Sequence, residues 1–196
     1  METVLILDFG AQYSQLIARR VREQNVYCEV KPCSISPAEI EKIAPIGIIL
    51  SGGPQSVYES VSLRVDPALF ALGIPVLGIC YGCQLMAYSL GGTVAAATEA
   101  TAREYGKTLT EFDTHSAIFQ DLPASSVTWM SHGDYISRVP DGFTVTAKTA
   151  VCHTAAMACP EKRMYGVQFH PEVQHTVEGS EMLRRFLYTV CGASGD

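Results

Sequence analysis

The sequence predicts an α/β fold: an open, mostly parallel sheet flanked by helices, with a partly antiparallel carboxyl-terminal half. Three observations carry that prediction. In the first half, short apolar runs alternate with amphipathic stretches, the rhythm of strand–helix–strand units that cover a parallel sheet on both faces. At 196 residues and 47% hydrophobic content, the chain can fill one well-packed core. The second half changes to strand-like runs joined by turns, and a helical pattern returns only near the end.

Val4 to Leu7 is apolar at every position and reads as a buried strand. Gln15 to Gln24 has helical spacing, with Leu16, Ile17 and Val21 inward and Arg19, Arg20, Arg22 and Glu23 mostly outward. Ser36-Pro37-Ala38-Glu39 is a helix start: the serine caps, the proline suits the first turn, and Glu39 completes a capping box. Ile46 to Leu50 is a second strand, and Asp66-Pro67 opens a further helix by the same logic. Pro75 to Ile79 reads as a strand, and Gln84 to Leu90 as a helix that Gly91-Gly92 stops. Val127 to Met130, Phe143 to Lys148 and Arg163 to Phe169 come next as strands, and the final helix runs from Glu178 to Val190. Residues 1–191 therefore make one domain, and 192–196, which lack core-forming side chains, read as a tail or linker.

Composition excludes several functions. The formal net charge is −6, and no basic run is present that would neutralise phosphates, so no nucleic-acid partner is expected. The start lacks a basic segment and a cleavage site, because Asp8 cuts the first apolar run short. No segment approaches the ~20 apolar residues of a membrane span. A soluble, cytoplasmic protein is expected. Seven cysteines, an odd number in a chain too long to need staples, read as free thiols in a reducing compartment. Only Cys80 and Cys83 have close ligand spacing, and no second pair is present, so no metal is expected.

Three motifs carry chemistry. Gly78-Ile79-Cys80-Tyr81-Gly82 comes directly after an apolar strand and opens a helix, the setting of a nucleophile elbow with cysteine in place of serine. The helix start offers partial positive charge to a thiolate. The plainer alternative is a buried cysteine at an ordinary strand–helix junction. Gln168-Phe169-His170-Pro171-Glu172 offers a base and an orienting carboxylate, which an extended backbone would point to one side; a surface turn is the alternative. Leu50-Ser51-Gly52-Gly53-Pro54 places a glycine pair at a strand end, where the Gly53 amide, with that of Tyr81, could receive an oxyanion. A phosphate loop is the rival there, weakened because Gln55 stands where aspartate is wanted and Pro54 lacks an N–H.

Together and in this order, the three motifs resemble those of the class I (triad) glutamine amidotransferases, and the likeness runs over essentially the whole chain. It implies that family's open sheet, with Cys80, His170 and Glu172 as the triad and the Gly53 and Tyr81 amides as the oxyanion hole. Asp8-Phe9-Gly10-Ala11-Gln12-Tyr13-Ser14-Gln15, Arg103-Glu104-Tyr105-Gly106 and Trp129-Met130-Ser131-His132-Gly133-Asp134 resemble the branch of the family that serves GMP synthetases. A kinase reading of Asp8-Phe9-Gly10 fails for want of a preceding glycine loop and a catalytic aspartate.

The resemblance implies glutamine as substrate, with Gln84 gripping its main-chain end, Asp134 pairing with its ammonium, and Ser131 and His132 presenting backbone groups. The His132 ring itself reads as structural; His115, His153 and His175 receive no role. The implied partner is an ATP-pyrophosphatase synthetase domain or subunit that uses ATP and Mg²⁺ to aminate XMP; no cofactor is expected in this chain. Amidotransferases serving anthranilate, CTP or carbamoyl phosphate synthesis, and a cysteine peptidase-like hydrolase, remain the competing readings. The family usually has methionine where this chain has Cys83, which creates a formal Cys80-x-x-Cys83 pair; a small core substitute and a redox dithiol are the two readings.

Overall fold

A computed structural model of the protein describes residues 1–10, 13–53, 56–59, 63–97 and 103–195. Ala11, Gln12, Pro54 and Gln55, on which parts of the sequence motifs fall, lie outside the described residues.

The architecture is a twisted central sheet between helical layers. β1 (Thr3–Asp8), β2 (Tyr27–Pro32), β3 (Gly47–Leu50) and β4 (Val76–Ile79) belong to the first half, with helices α1 (Ser14–Glu23), α2 (Pro37–Ile43) and α3 (Tyr81–Ser89). The second half supplies β5 (Thr93–Ala96), β6 (Glu104–Phe112), β7 (Ser125–His132), β8 (Asp134–Arg138), β9 (Thr144–Lys148), β10 (Ala156–Cys159), β11 (Met164–Val167) and α4 (Gly179–Arg185). Nine strands form one sheet in the order β2-β1-β3-β4-β11-β10-β9-β6-β7, while β5 and β8 pair separately. From β2 to β11 every pairing is parallel; from β11 to β7 every pairing is antiparallel.

The continuous apolar run of β1 reflects burial on both faces. Val4 and Ile6 join Ile17, Val21, Leu183 and Phe186 in one core cluster, while Leu5 and Leu7 join Ile40, Ile48, Leu85 and Met86 in the other. Ser36 caps α2 as the sequence predicts, its Oγ accepting from the Glu39 amide at 3.2 Å. The second arm of the box differs: Ser36 Oγ donates to Glu39 Oε1 at 3.3 Å.

Two predicted helices depart from expectation. Asp66 does cap a turn, accepting from the Ala68 amide at 3.0 Å, but the element it opens is a five-residue 3-10 helix, Pro67–Ala71. The last helix is α-helical only to Arg185 and continues over Phe186–Val190 with wider π-type turns. Beyond it the chain folds back: Ala193 packs on the core, and the Ser194 amide donates to Glu2 Oε2 at 2.9 Å. The strands β2, β5, β6, β8 and β10 lie outside the strands expected from the sequence; β2, for example, has a single buried position, Cys28.

Where β4 meets α3, glycine is a steric necessity. A Cβ on Gly78 would lie 2.7 Å from the Gly82 carbonyl oxygen, and one on Gly82 would lie 2.4 Å from the Leu50 carbonyl oxygen. Both obstacles are backbone atoms, which cannot swing away. A Gly82→Ala substitution should therefore lose about 1–3 kcal/mol of stability by overpacking, read as a lower midpoint with unchanged slope in urea denaturation; an unchanged midpoint would show that the strand–helix junction can relax.

Candidate active site

The site forms where the parallel half of the sheet ends. β11 lies beside β4 in parallel register, Val167 opposite Ile79, and the Cys80 amide donates to the Val167 carbonyl at 2.8 Å. The next residues of both strands thus emerge side by side. β3, on the other side of β4, delivers Ser51-Gly52-Gly53 to the same edge, as open α/β sheets deliver ligand-binding loops.

Cys80 has φ +53° and ψ −109°, a conformation L side chains rarely adopt. It sits between β4 and the first turn of α3, and its carbonyl accepts from the Gln84 amide at 3.1 Å. This is the strained strand–turn–helix geometry of a nucleophile elbow. The His170 ring and Cys80 both line the cavity and both pack against Gly52, and the Cys80 thiol donates to the Ser131 carbonyl at 3.6 Å. His170 Nδ1 lies 3.1 and 3.3 Å from the two oxygens of Glu172, leaving Nε2 for the sulfur. Residues 170–172 reach this arrangement through a turn at Pro171, not through the extended backbone expected from their two-residue spacing. The His170 amide donates to the Trp129 carbonyl at 3.0 Å, its carbonyl accepts from Thr176 Oγ1 at 2.6 Å, and Tyr13 packs edge-on to the ring. Arg20 of α1 donates to the Glu172 carbonyl at 2.9 Å.

A cavity of about 650 Å³ opens over these strand ends. Every site residue expected from the sequence lines it except Glu172, which is 1% exposed and lies behind His170. Gly52 is pressed against the pair: a Cβ there would lie 3.0 Å from the His170 ring and 3.6 Å from Cys80 Cβ. Its neighbour Gly53 also lines the cavity, packed beside Phe9 and Tyr81. The Asp134 carboxylate carries no hydrogen bond or ion pair among the described residues. Gln84 Nε2 donates to the Asp134 carbonyl at 3.0 Å and to Gln168 Oε1 at 3.1 Å. The His132 ring is buried between Glu104 Oε1 at 3.0 Å and the Asp134 carbonyl at 2.8 Å, in line with its structural reading.

Three contributors escape the sequence reading. Gln168 is fully buried, and its Nε2 lies 3.5 Å from Cys80 Sγ. Thr176 holds the His170 carbonyl, and Glu104 anchors His132. A glutamine closing an otherwise apolar strand is the available signal for the first; Thr176 reaches a carbonyl only six positions back across an irregular turn, and Glu104 gains its partner through the β6–β7 pairing. Asp8, read with Phe9 and Gly10, proves to be a loop organiser: its Oδ1 accepts from the Gly10 amide and the Ser14 hydroxyl, both at 2.8 Å.

Cys83 is 1% exposed and packs beneath β11, where a Cβ on Gly166 would come within 2.6 Å of its sulfur. Burial pushes its thiol far up, and both Cys80 and Cys83 are free. This favours a core residue over a redox partner.

With fold and site in view, the class of protein is defined. The chain belongs to the class I glutamine amidotransferase family, whose family model matches residues 5–190. Among individual relatives, a GMP synthase (glutamine-hydrolysing) of Clostridium botulinum is 54% identical over 195 residues, covering 100% of this chain and 37% of the relative. The enzyme from another strain of that organism is 56% identical and is covered to 38%. The chain thus spans little more than a third of the length of these curated relatives. Among solved structures, a Thermoplasma acidophilum protein provisionally assigned as one of the subunits of a GMP synthase superposes with a TM-score of 0.83 at 31% identity, covering 97% of this chain and 94% of that one. A glutamine amidotransferase of Thermotoga maritima, at 20% identity and TM-score 0.77, covers 98% of this chain and 99% of its own and shares the fold. Among the described residues, no helix is long and apolar enough to cross a membrane.

Electrostatically, burial lowers the proton affinity of His170, but the hydrogen bonds to Cys80 and Glu172 outweigh it and push the ring from 6.5 to about 11. A group that holds its proton more tightly when folded gives stability that is complete below its unfolded pKa and is lost as pH climbs through the folded one. The difference in melting temperature between the native protein and His170→Asn should therefore be largest below pH 6.5 and should shrink as pH rises toward about 11. A difference that stays constant across that window would disprove the paired imidazolium.

Proposed function

We propose that this chain hydrolyses glutamine to glutamate and ammonia through a thioester on Cys80, and that the ammonia serves an ATP-dependent synthetase part that aminates XMP to GMP. The observation that carries the first half is a cysteine at a strained elbow, lining a cavity beside an imidazole that a buried carboxylate orients. The second half is supported by the identity to GMP synthases, of which this chain matches the amidotransferase part.

The chemistry is set by the positions. The Cys80 sulfur attacks the carboxamide carbon of glutamine; a C–S bond forms and the carbonyl electrons move to oxygen. The Gly53 and Tyr81 amides receive that oxyanion, one such donor being worth about 3–4 kcal/mol. The intermediate collapses, the C–N bond breaks, and His170 gives its proton to the departing nitrogen, which leaves as ammonia. Water then attacks the thioester, its proton passes to His170, and cleavage of the C–S bond releases glutamate. Glu172 keeps the ring oriented and balances its charge throughout. At the other end of the substrate, the unpaired Asp134 carboxylate takes the ammonium, with Gln84 and the backbone of Ser131 and His132 beside it.

ATP and Mg²⁺ belong, on this reading, to the synthetase part. Pro54, which lacks an N–H for a phosphate, follows the glycine pair in the sequence and supports that division. Seven unpaired thiols suit a cytoplasmic setting.

Cys80→Ala should reduce ammonia release from glutamine to background while calorimetry still detects glutamine binding; turnover at the native rate would refute the assignment. Asparagine and peptides should be poor substrates. Adding the synthetase part with ATP, Mg²⁺ and XMP should raise glutamine hydrolysis, and no stimulation would overturn the coupling to GMP formation.

A further inference from the structure

Outside the triad, a second buried acid–imidazole pair adjoins the cavity, which His132 helps to line. Glu104, at the start of β6, and His132, at the end of β7, face each other across the β6–β7 ladder, with side chains 6% and 1% exposed. Thr149 donates from Oγ1 to Glu104 Oε2 at 2.7 Å and fixes the carboxylate from its other side.

The bond directions form one continuous chain. A backbone carbonyl only accepts, so His132 must carry hydrogen on Nδ1 to bond the Asp134 carbonyl at 2.8 Å. A further proton is then shared between His132 Nε2 and Glu104 Oε1, 3.0 Å apart. The same carbonyl forces Gln84 to turn its NH₂ toward it, at 3.0 Å. The second N–H of that amide donates to Gln168 Oε1 at 3.1 Å, which turns the Gln168 NH₂ toward Cys80 Sγ at 3.5 Å. Both donors of Gln84 are thereby committed, and what it presents to the cavity is an acceptor oxygen.

We propose that His132, held by Glu104, is a positioning residue for the nucleophile. By fixing the Asp134 carbonyl it sets the orientation of Gln84 and Gln168, and so orients the Cys80 sulfur and the acceptor that meets glutamine. Remove the Nδ1 donor and the Asp134 carbonyl that orients both amides loses its anchor; a misplacement of about 1 Å at a reacting atom is enough to cost about 100-fold. The role of glutamine as substrate rests on the function proposed above; the orientation of the sulfur does not.

The test separates the two nitrogens of His132. Asparagine can donate from near the Nδ1 position but does not reach Glu104, whereas glutamine reaches toward Glu104 and offers Asp134 no donor. Two readouts are taken on variants whose near-UV circular dichroism is native: the rate of Cys80 alkylation by iodoacetamide, mapped by mass spectrometry, and kcat and KM for glutamine. His132→Ala should slow alkylation and kcat by about tenfold or more and raise KM; His132→Asn should recover most of that loss, and His132→Gln should not. If His132→Gln matches the native protein, or Asn does no better than Gln, the positioning role is overturned. Should His132→Ala fail to fold, the Asn and Gln pair decides alone. Should the native chain show no glutamine turnover, the proposed function fails, and the order of alkylation rates still decides this inference.

Discussion

The parallel pairing of β11 with β4 is the constraint on which everything functional depends. It is the last parallel ladder in the sheet, and it joins segments far apart in the chain. Because Val167 stands opposite Ile79, the strands run out at the same level, with Cys80 and Gln168 as neighbours. A shift of one residue would turn every side chain of β11 to the wrong face. The sheet guards against that shift from both sides, since β11 also pairs antiparallel with β10 and all four of its residues are buried. The change from parallel to antiparallel at β11 has its own consequence. It lets the chain leave the strand and run against β7, where the Trp129 backbone and Thr176 fix His170. The His170 imidazole is thus held by the antiparallel half and the Cys80 sulfur by the parallel half.

Two acid–imidazole pairs flank that junction, and they use burial differently. Desolvation alone would discharge the His170 ring. In the Glu172–His170 pair the carboxylate faces one nitrogen and the thiol the other, so the proton stays where the reaction can use it. In the Glu104–His132 pair both nitrogens are occupied by acceptors within the protein, so that proton is withheld from chemistry and serves geometry. A buried pair of this kind is weak evidence for stability, since its desolvation can cancel its attraction. Its better-supported value is specificity of arrangement, here the orientation of two amides that have no other means of choosing.

How much of this was legible in the sequence depends on the range of each interaction. The strands of the parallel half stand out because burial on both faces demands unbroken apolar runs such as Val4 to Leu7. The strands of the second half, one face often exposed, carry weaker patterns; β6 turns Tyr105 and Leu109 outward while Gly106 and Thr108 stand half-buried, so its hydrophobicity does not follow its burial. Caps were readable because they are local: Ser36 and Asp66 each bond an amide two or three residues on, although the capping signal at Asp66 could not tell a 3-10 helix from an α-helix. The triad was legible as residue types in an ordered set of motifs, not as geometry. Gln168 and Glu104 fall within those motifs, and apart from the break Gln168 makes in an apolar strand neither shows what it pairs with, because their partners lie 88 and 28 positions away.

The strain at Cys80 shows why the site could not be built from local preference alone. A positive φ on a residue with a side chain costs on the order of 1–3 kcal/mol and persists only where the surroundings over-determine it. Here the Cys80 amide is pinned to β11, its carbonyl begins the hydrogen-bond ladder of α3, and Gly78 and Gly82 let the two neighbouring backbones close to a distance no Cβ would permit. Each restraint comes from an element with its own reason to form. The same conformation lifts the sulfur off the axis of β4 and into the cavity, between the ring of His170 and the amide of Gln168. The strain is therefore a consequence of placing a nucleophile at the first residue after a buried strand, where an extended cysteine would have pointed into the core, and the stability of the sheet is what sustains it.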